Sequence, residues 1–248
     1  IMPFPRSIKP FIKDTIVRML NPDPKKRPSA EKIISMLKKE YGNLSRGMSW
    51  DFGRKCLTIS GIDIIPDFEN EKQCPWYNKR DEIQSLIIMP GIVEIGNFAF
   101  CGLSKLTAVD IHQGMTRIGN AAFMNCTKLK LISLLDRTIT VGASAFENCT
   151  NLRIVELPPK LTTLRNWTFY GCSNLKIINT EELSAVGEGA FDNTQISVQS
   201  TTRTLEDDKY LYELGMIYKT GRDVNVDVGR ALQMFKMSSE SGNIKFNS

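Results

Sequence analysis

Apolar positions recur in the middle of the chain with a period of 23 residues: Phe100, Phe123, Phe146 and Phe169 follow at that interval, and Phe191 arrives one residue early. The word around each Phe recurs too, as Ile95-Gly96-x-x-Ala99-Phe100, Ile118-Gly119-x-x-Ala122-Phe123, Val141-Gly142-x-x-Ala145-Phe146 and Val186-Gly187-x-x-Ala190-Phe191. Leu164-Arg165-x-x-Thr168-Phe169 is a worn copy. Further columns run through Ile83, Leu106, Leu129, Leu152 and Leu175, then Leu86, Val109, Ile132, Val155 and Ile178, then Ile88, Ile111, Leu134, Leu157 and Thr180. The last two columns alternate as a short half-buried strand does. A period of this length predicts a repeat solenoid, in which each turn buries its apolar face only against its neighbours. Its strands would stack as a parallel ladder with a spacing of ~4.8 Å. The Gly suits a tight corner, and each Phe fills the interior.

Outside the repeats, Pro10 to Leu37 predicts two helices around a polar break from Asn21 to Ala30. The first has apolar spacing at Ile12, Ile16, Met19 and Leu20, the second at Ile33, Ile34 and Leu37, with Ser29 placed to cap the second. The stretch Gln195 to Asp208, rich in Ser, Thr and charge, reads as a linker. The chain opens on Ile1 and its first residues read as mid-domain, so a piece of a longer protein is expected.

Composition adds little to that picture: 42% hydrophobic and 24% charged residues are ordinary for globular protein, and no apolar run reaches membrane-helix length. Charge is uneven. Residues 1–49 carry 11 Lys/Arg against 4 Asp/Glu, a net +7, and the remainder is −2. The basic residues are spread over helical turns without aromatic interleaving, so a solvated face is expected and no nucleic-acid or membrane partner.

Candidate chemistry is thin. Cys126, Cys149 and Cys172 share one repeat column, but Leu103 and Thr194 fill the same place in other copies, which makes it a core column. Cys56, Cys74 and Cys101 lack zinc-type spacing. His112 is the only histidine and falls at a strand end, where an exposed imidazole is expected. No catalytic residue, cofactor or metal is therefore expected. Sequons stand at Asn43, Asn125, Asn148 and Asn166, and the repeat word itself generates three of them. Asp110, Ser133, Glu156 and Asn179 occupy one outward position between the strand columns and are the candidate protein-contact face.

The repeat word, with Cys-Thr-x-Leu after the Phe, resembles the BspA-type leucine-rich repeat. Trp50-x-Phe52-Gly53, Leu57 to Gly61, Ile65 to Phe68 and Pro75-Trp76 look like that family's N-terminal cap, giving one capped domain over 50–200. Ile16-x-x-Met19-Leu20-x-x-Asp23-Pro24-x-x-Arg27-Pro28-Ser29-Ala30-x-x-Ile33 resembles the last helices of a eukaryotic protein kinase domain, here residues 1–40. That resemblance implies a structural Arg27 whose buried Glu partner is absent, leaving it unpaired. Asp51-Phe52-Gly53 spells the kinase metal-binding triplet, but it follows the Arg-Pro helices instead of preceding them, so it is read as cap.

Leu214-Gly215-x-x-Tyr218-x-x-Gly221, then Asp227, Arg230-Ala231 and Phe235, resembles one SEL-like helical repeat over 205–248. It implies a helix pair in which Gly215 permits close approach, Gly221 caps the first helix and Ala231 sits at the contact.

Together these resemblances imply a scaffold that binds protein partners through its repeat surfaces. It would be cytoplasmic and part of a larger kinase-like signalling protein. The alternatives are a piece of an active Ser/Thr kinase and a BspA-type surface adhesin.

Overall fold

The structure, a computed structural model, describes residues 16–33, 41–45, 47–112, 114–134, 137–158, 160–178, 182–196, 209, 212, 215–216, 219–220 and 228–240. The repeats coil into a solenoid with strands on two sides. On the first side lie β1 (Tyr41–Ser45), β2 (Met48–Gly53), β3 (Cys56–Gly61), β5 (Ser85–Ile88) and β7 (Ala108–Ile111), joined in that order into one sheet. The pairs β1–β2 and β2–β3 are antiparallel, and from β3 onward every pair is parallel. The same side continues as a second sheet of β9 (Leu131–Ser133), β11 (Ile154–Glu156) and β13 (Lys176–Ile178). On the other side β4 (Asp63–Ile64), β6 (Ile92–Ile95), β8 (Arg117–Ile118) and β10 (Thr140–Val141) form one parallel ladder. There β12 (Thr163–Leu164) and β14 (Ala185–Val186) form another.

The Ala-Phe corner has no strands, yet its backbone is laddered as fully. Phe98, Phe100 and Gly102 donate their amides to Asn120, Ala122 and Met124 of the next turn at 2.8–2.9 Å. The same three bonds recur from Ala121, Phe123 and Asn125, and again from the two turns that follow. Inside this ladder the repeat Phe rings stack. Trp76, Phe100, Phe123, Phe146, Phe169 and Phe191 form one column with centroids 5.3–6.1 Å apart and ring planes within 27° of parallel. Offset stacking of this kind adds about 0.5–1.5 kcal/mol per pair to the burial of the rings.

Two columns of special backbone follow from closing a turn in so few residues. Gly102, Asn125, Asn148, Gly171 and Asn193 all have φ between 58° and 75°, the left-handed region that Gly and Asn tolerate best. Gly119 is needed for a different reason. Its φ is ordinary, but a Cβ there would lie 2.6 Å from the Asn97 amide of the preceding turn.

The last turn corrects the expected register. Val155 pairs with Ile177, and Glu156 with Ile178, one residue earlier than the repeat alignment placed them. The missing residue therefore lies between Leu175 and β13, and that loss brings Phe191 early. Thr180 lies outside the described residues.

The N-terminal end is closed as a cap, and its sheet begins at Tyr41, ahead of the boundary at 50 read from the sequence. Trp76 is buried at the head of the Phe column, donates Nε1 to the Ala99 carbonyl at 2.9 Å, and meets Trp50 and Phe68 edge to face. Asp51-Phe52-Gly53 is the end of a hairpin arm that turns through Arg54 and Lys55, with Gly53 opposite Cys56.

In the flanks, Ile16 to Met19 is one helical turn, and Lys32 donates its amide to Ser29 Oγ at 3.2 Å, the expected cap. Arg27 is not unpaired as expected: its Nε donates to the Asn21 carbonyl at 2.8 Å, because the polar break folds back on itself. Ile12, Ile34 and Leu37 lie outside the described residues. Near the other terminus α1 (Val228–Glu240) buries Ala231, Met234 and Ser238. A Cβ on Gly215 would meet the Phe235 ring at 2.5 Å, so this glycine lets the two segments touch. Gly221 lies outside the described residues.

Phe146→Ala should cost about 3–5 kcal/mol in urea unfolding, and its neighbouring turns should unfold with it. Asn148→Ala should be less stable than Asn148→Gly by about 1–2 kcal/mol. Both lose the bond from Nδ2 to Asn125 Oδ1, but only Ala carries a Cβ into the left-handed region.

Candidate functional site

The outward row nominated from the sequence is not a uniform polar face. Asp110 is 9% exposed, against the exposure expected of it. Its ladder partner on β5 is the apolar Ile87, so the row does not continue as polar side chains on this sheet. Ser133 and Glu156 pair in register on β9 and β11, and the residue opposite Glu156 is Ile178, so Asn179 does not complete the row. Asn179 lies outside the described residues, as do the side chains of Ser133 and Glu156. The row is therefore mixed, running from Thr58 through Ile87 to Asp110 on the first sheet.

The opposite side holds the more open feature, which the sequence reading missed. At each boundary where the repeat word keeps its Gly (Gly96, Gly119, Gly142 and Gly187), the neighbouring strands pair. At the one boundary where Arg165 replaces Gly, β10 and β12 do not pair. A Cβ on Gly119 or Gly142 would collide with the preceding turn's backbone, and Arg165 brings a Cβ into that place. A cleft of about 730 Å³ lies there, floored by Val141 and Leu164 and rimmed by the exposed Ile139, Trp167 and Val186. Lys160 and Arg165 are the charged residues of its lining.

The reactive side chains are absorbed by the stack. Cys126, Cys149 and Cys172 are fully buried, and each donates its thiol to the carbonyl of Phe100, Phe123 or Phe146 in the preceding turn at 3.0–3.2 Å. This agrees with a core column and adds a hydrogen bond to it. Thr168, in the place of Ala, donates its hydroxyl to the Arg165 carbonyl at 2.7 Å. His112 is half-buried, not a free surface imidazole. Its Nε2 lies 2.6 Å from the Ile92 carbonyl and its Nδ1 accepts the Gly114 amide at 2.9 Å, so the ring pins a corner between two turns. Among the described residues no group of three or more His, Cys, Asp or Glu is arranged to hold a metal, and no helix is long and apolar enough to cross a membrane.

The profile of the BspA type leucine rich repeat region matches six copies over residues 77–209. The chain belongs to the BspA-type leucine-rich repeat family. No curated protein matches it. Solved structures similar to this BspA-type chain include a leucine-rich repeat protein from Eubacterium ventriosum, at 18% identity over 62% of this chain and 63% of that one, TM-score 0.39. A leucine rich cell surface protein from Faecalibacterium prausnitzii is 22% identical over 61% of this chain and 46% of that one, TM-score 0.49. The leucine rich repeat protein of T. pallidum is 20% identical over 60% and 87%, TM-score 0.39. The chain thus spans less than two thirds of the first two.

Burial sets the acid–base behaviour of the thiols in this BspA-type core. It pushes Cys74 and Cys101 up from 9.0 to about 12, with Glu71 adding to both. Cys126 and Cys149 are raised well beyond the usual range, again chiefly by burial. Below pH 9 these thiols are protonated in folded and unfolded chains alike. Above it the unfolded chain ionises first, so stability is lost as the pH rises from 9 toward 12. The urea midpoint should therefore fall above pH 9, and Cys74→Ala with Cys101→Ala should flatten the decline.

Proposed function

We propose that this chain is a protein-binding scaffold, acting through the outer surfaces of its repeat stack. The observation that carries this reading is the contrast between interior and surface. The thiols and the imidazole are engaged in the stack's own hydrogen bonds, while Ile139, Trp167 and Val186 are exposed beside an open cleft. Leucine-rich repeats present such surfaces as a consequence of their one-dimensional stacking.

In the finer reading the chain has three parts. Residues 1–40 are the final helices of a kinase-like domain, 50–200 the repeat domain with its strands reaching back to Tyr41, and 205–248 a SEL-like helical repeat. The support for the first is the Asp23 to Ala30 wording with its Ser29 cap, and for the last the contact of Gly215 with Phe235. A kinase-like neighbour favours the cytoplasm.

Affinity capture with the immobilised full chain, and with a form lacking residues 1–40, tests the scaffold reading. Both should retain the same protein partner. Complete loss of binding on removing those residues would assign the contact to the N-terminal helices and overturn it.

A further inference from the structure

We infer that the cleft between β10 and β12 is a docking site for an acidic, extended segment of another protein, one bearing an aromatic or aliphatic side chain that seats against Trp167. This rests on the protein-binding reading above and names the chemistry of the partner.

The site comes from one departure in an otherwise regular repeat. Four boundaries on this side of the solenoid carry Gly and close into a ladder, and the boundary at Arg165 does not. Closely stacked turns on the Phe side show that the stack itself is unbroken there, since Phe146 and Phe169 remain 5.4 Å apart. The opening is local to one face.

Its lining is unusual for a solvated surface. Ile139 is 57% exposed, Val186 53% and Trp167 45%, although each neighbours a strand that buries Val141 or Leu164. Trp167 adopts φ 56°, the left-handed backbone that Phe98, Ala121 and Ser144 also adopt in this column of the earlier turns. The next turn has Gly189 in the same column, and a Cβ there would lie 2.8 Å from the indole Nε1, so Gly189 leaves room for the ring to lie across it. One edge of the indole is thus supported while much of it faces water. Trp is one of the side chains enriched among the residues that carry binding energy near the centre of an interface.

Charge and shape select the occupant. Lys160 and Arg165 are both exposed, and no Asp or Glu lines the cleft, so it attracts an acidic guest and rejects a basic one. The lining spans three turns, from Ile139 through Arg165 to Val186. Two intervals of ~4.8 Å make about 10 Å, the length of roughly three residues of extended chain laid along the solenoid axis.

Fluorescence anisotropy of a short fluorescein-labelled peptide of alternating Glu and Phe, titrated with the full chain, tests the inference. The counterpart of alternating Lys and Phe is the charge control. The acidic peptide should bind saturably, weaken as salt rises, and bind about tenfold or more tighter than the basic one. Trp167→Ala should weaken it by about tenfold or more, and so should Lys160→Glu combined with Arg165→Glu. Arg165→Gly, which restores the glycine of the other boundaries, should also weaken it by letting β12 close on β10. Unchanged circular dichroism shows that each variant folds, and the charge reversal stands as the test if Trp167→Ala does not.

Absence of binding, equal affinity for both peptides, or full affinity in the folded Trp167→Ala variant would overturn the inference. Partner capture that survives Trp167→Ala would overturn this site and leave the scaffold reading standing. Failure of the wild-type chain to capture any protein would overturn that reading instead.

Discussion

The spacing between neighbouring turns is set twice over, by aromatic rings stacked inside and by amide-to-carbonyl bonds outside. The rings hold their centroids about 5.4 Å apart through the middle of the column, while the backbone of each Ala-Phe corner donates to the next at 2.7–3.0 Å. Neither contact tolerates an altered rise, so each side chain between two turns must fit a fixed gap. Gly119 and Gly142 do so by having no Cβ. The Cys column does so with a small side chain that also bonds the preceding carbonyl. The same limit explains why a missing residue in the last turn shifts the strand register while the ring column continues, with Phe169 and Phe191 still parallel within 3°.

A stack under this constraint needs a beginning that differs from its middle. The first turn has no predecessor to cover it, and here the solution is chemical as well as geometric. Trp76 takes the place of a Phe at the head of the column, and its indole N–H bonds the Ala99 carbonyl. The antiparallel strands β1 and β2 extend the parallel sheet outward, so the cap joins two strand directions in one sheet. The Asp51-Phe52-Gly53 triplet belongs to this construction: Phe52 is buried opposite Leu57, with the Lys79 ammonium 5.2 Å from its ring centre. Identical wording in a kinase serves another end, which shows how little three residues mean without their surroundings.

The fixed spacing also gives significance to the place where the repeat word fails. A worn copy is easily dismissed as drift. Here Arg165 stands where the backbones of adjacent turns must nearly touch, and the ladder on that side is interrupted while the Phe side stays closed. Thr168 in the same copy is tolerated because its hydroxyl finds the Arg165 carbonyl. Two departures in one turn thus have different outcomes: one is satisfied internally, and the other opens the surface beside Trp167.

By itself the sequence determined the solenoid, the inward columns and the burial of the Cys column, because a strict period forces equivalent residues into equivalent places. It also indicated the Gly of each corner and the cap residues Trp50 and Trp76. Tertiary structure decided what depends on the neighbour across a turn boundary. Asp110 is buried where its strand pairs with that of Ile87, one repeat earlier, and the bonds of His112 depend on the Ile92 carbonyl and on Gly114. The displaced register at Ile177 and the cleft at Arg165 arise in the same way, from contacts between turns. A periodic sequence specifies the average turn well. It does not state how one irregular turn meets its neighbours, because that outcome is set by distances of a few tenths of an ångström between backbones that are remote in the chain.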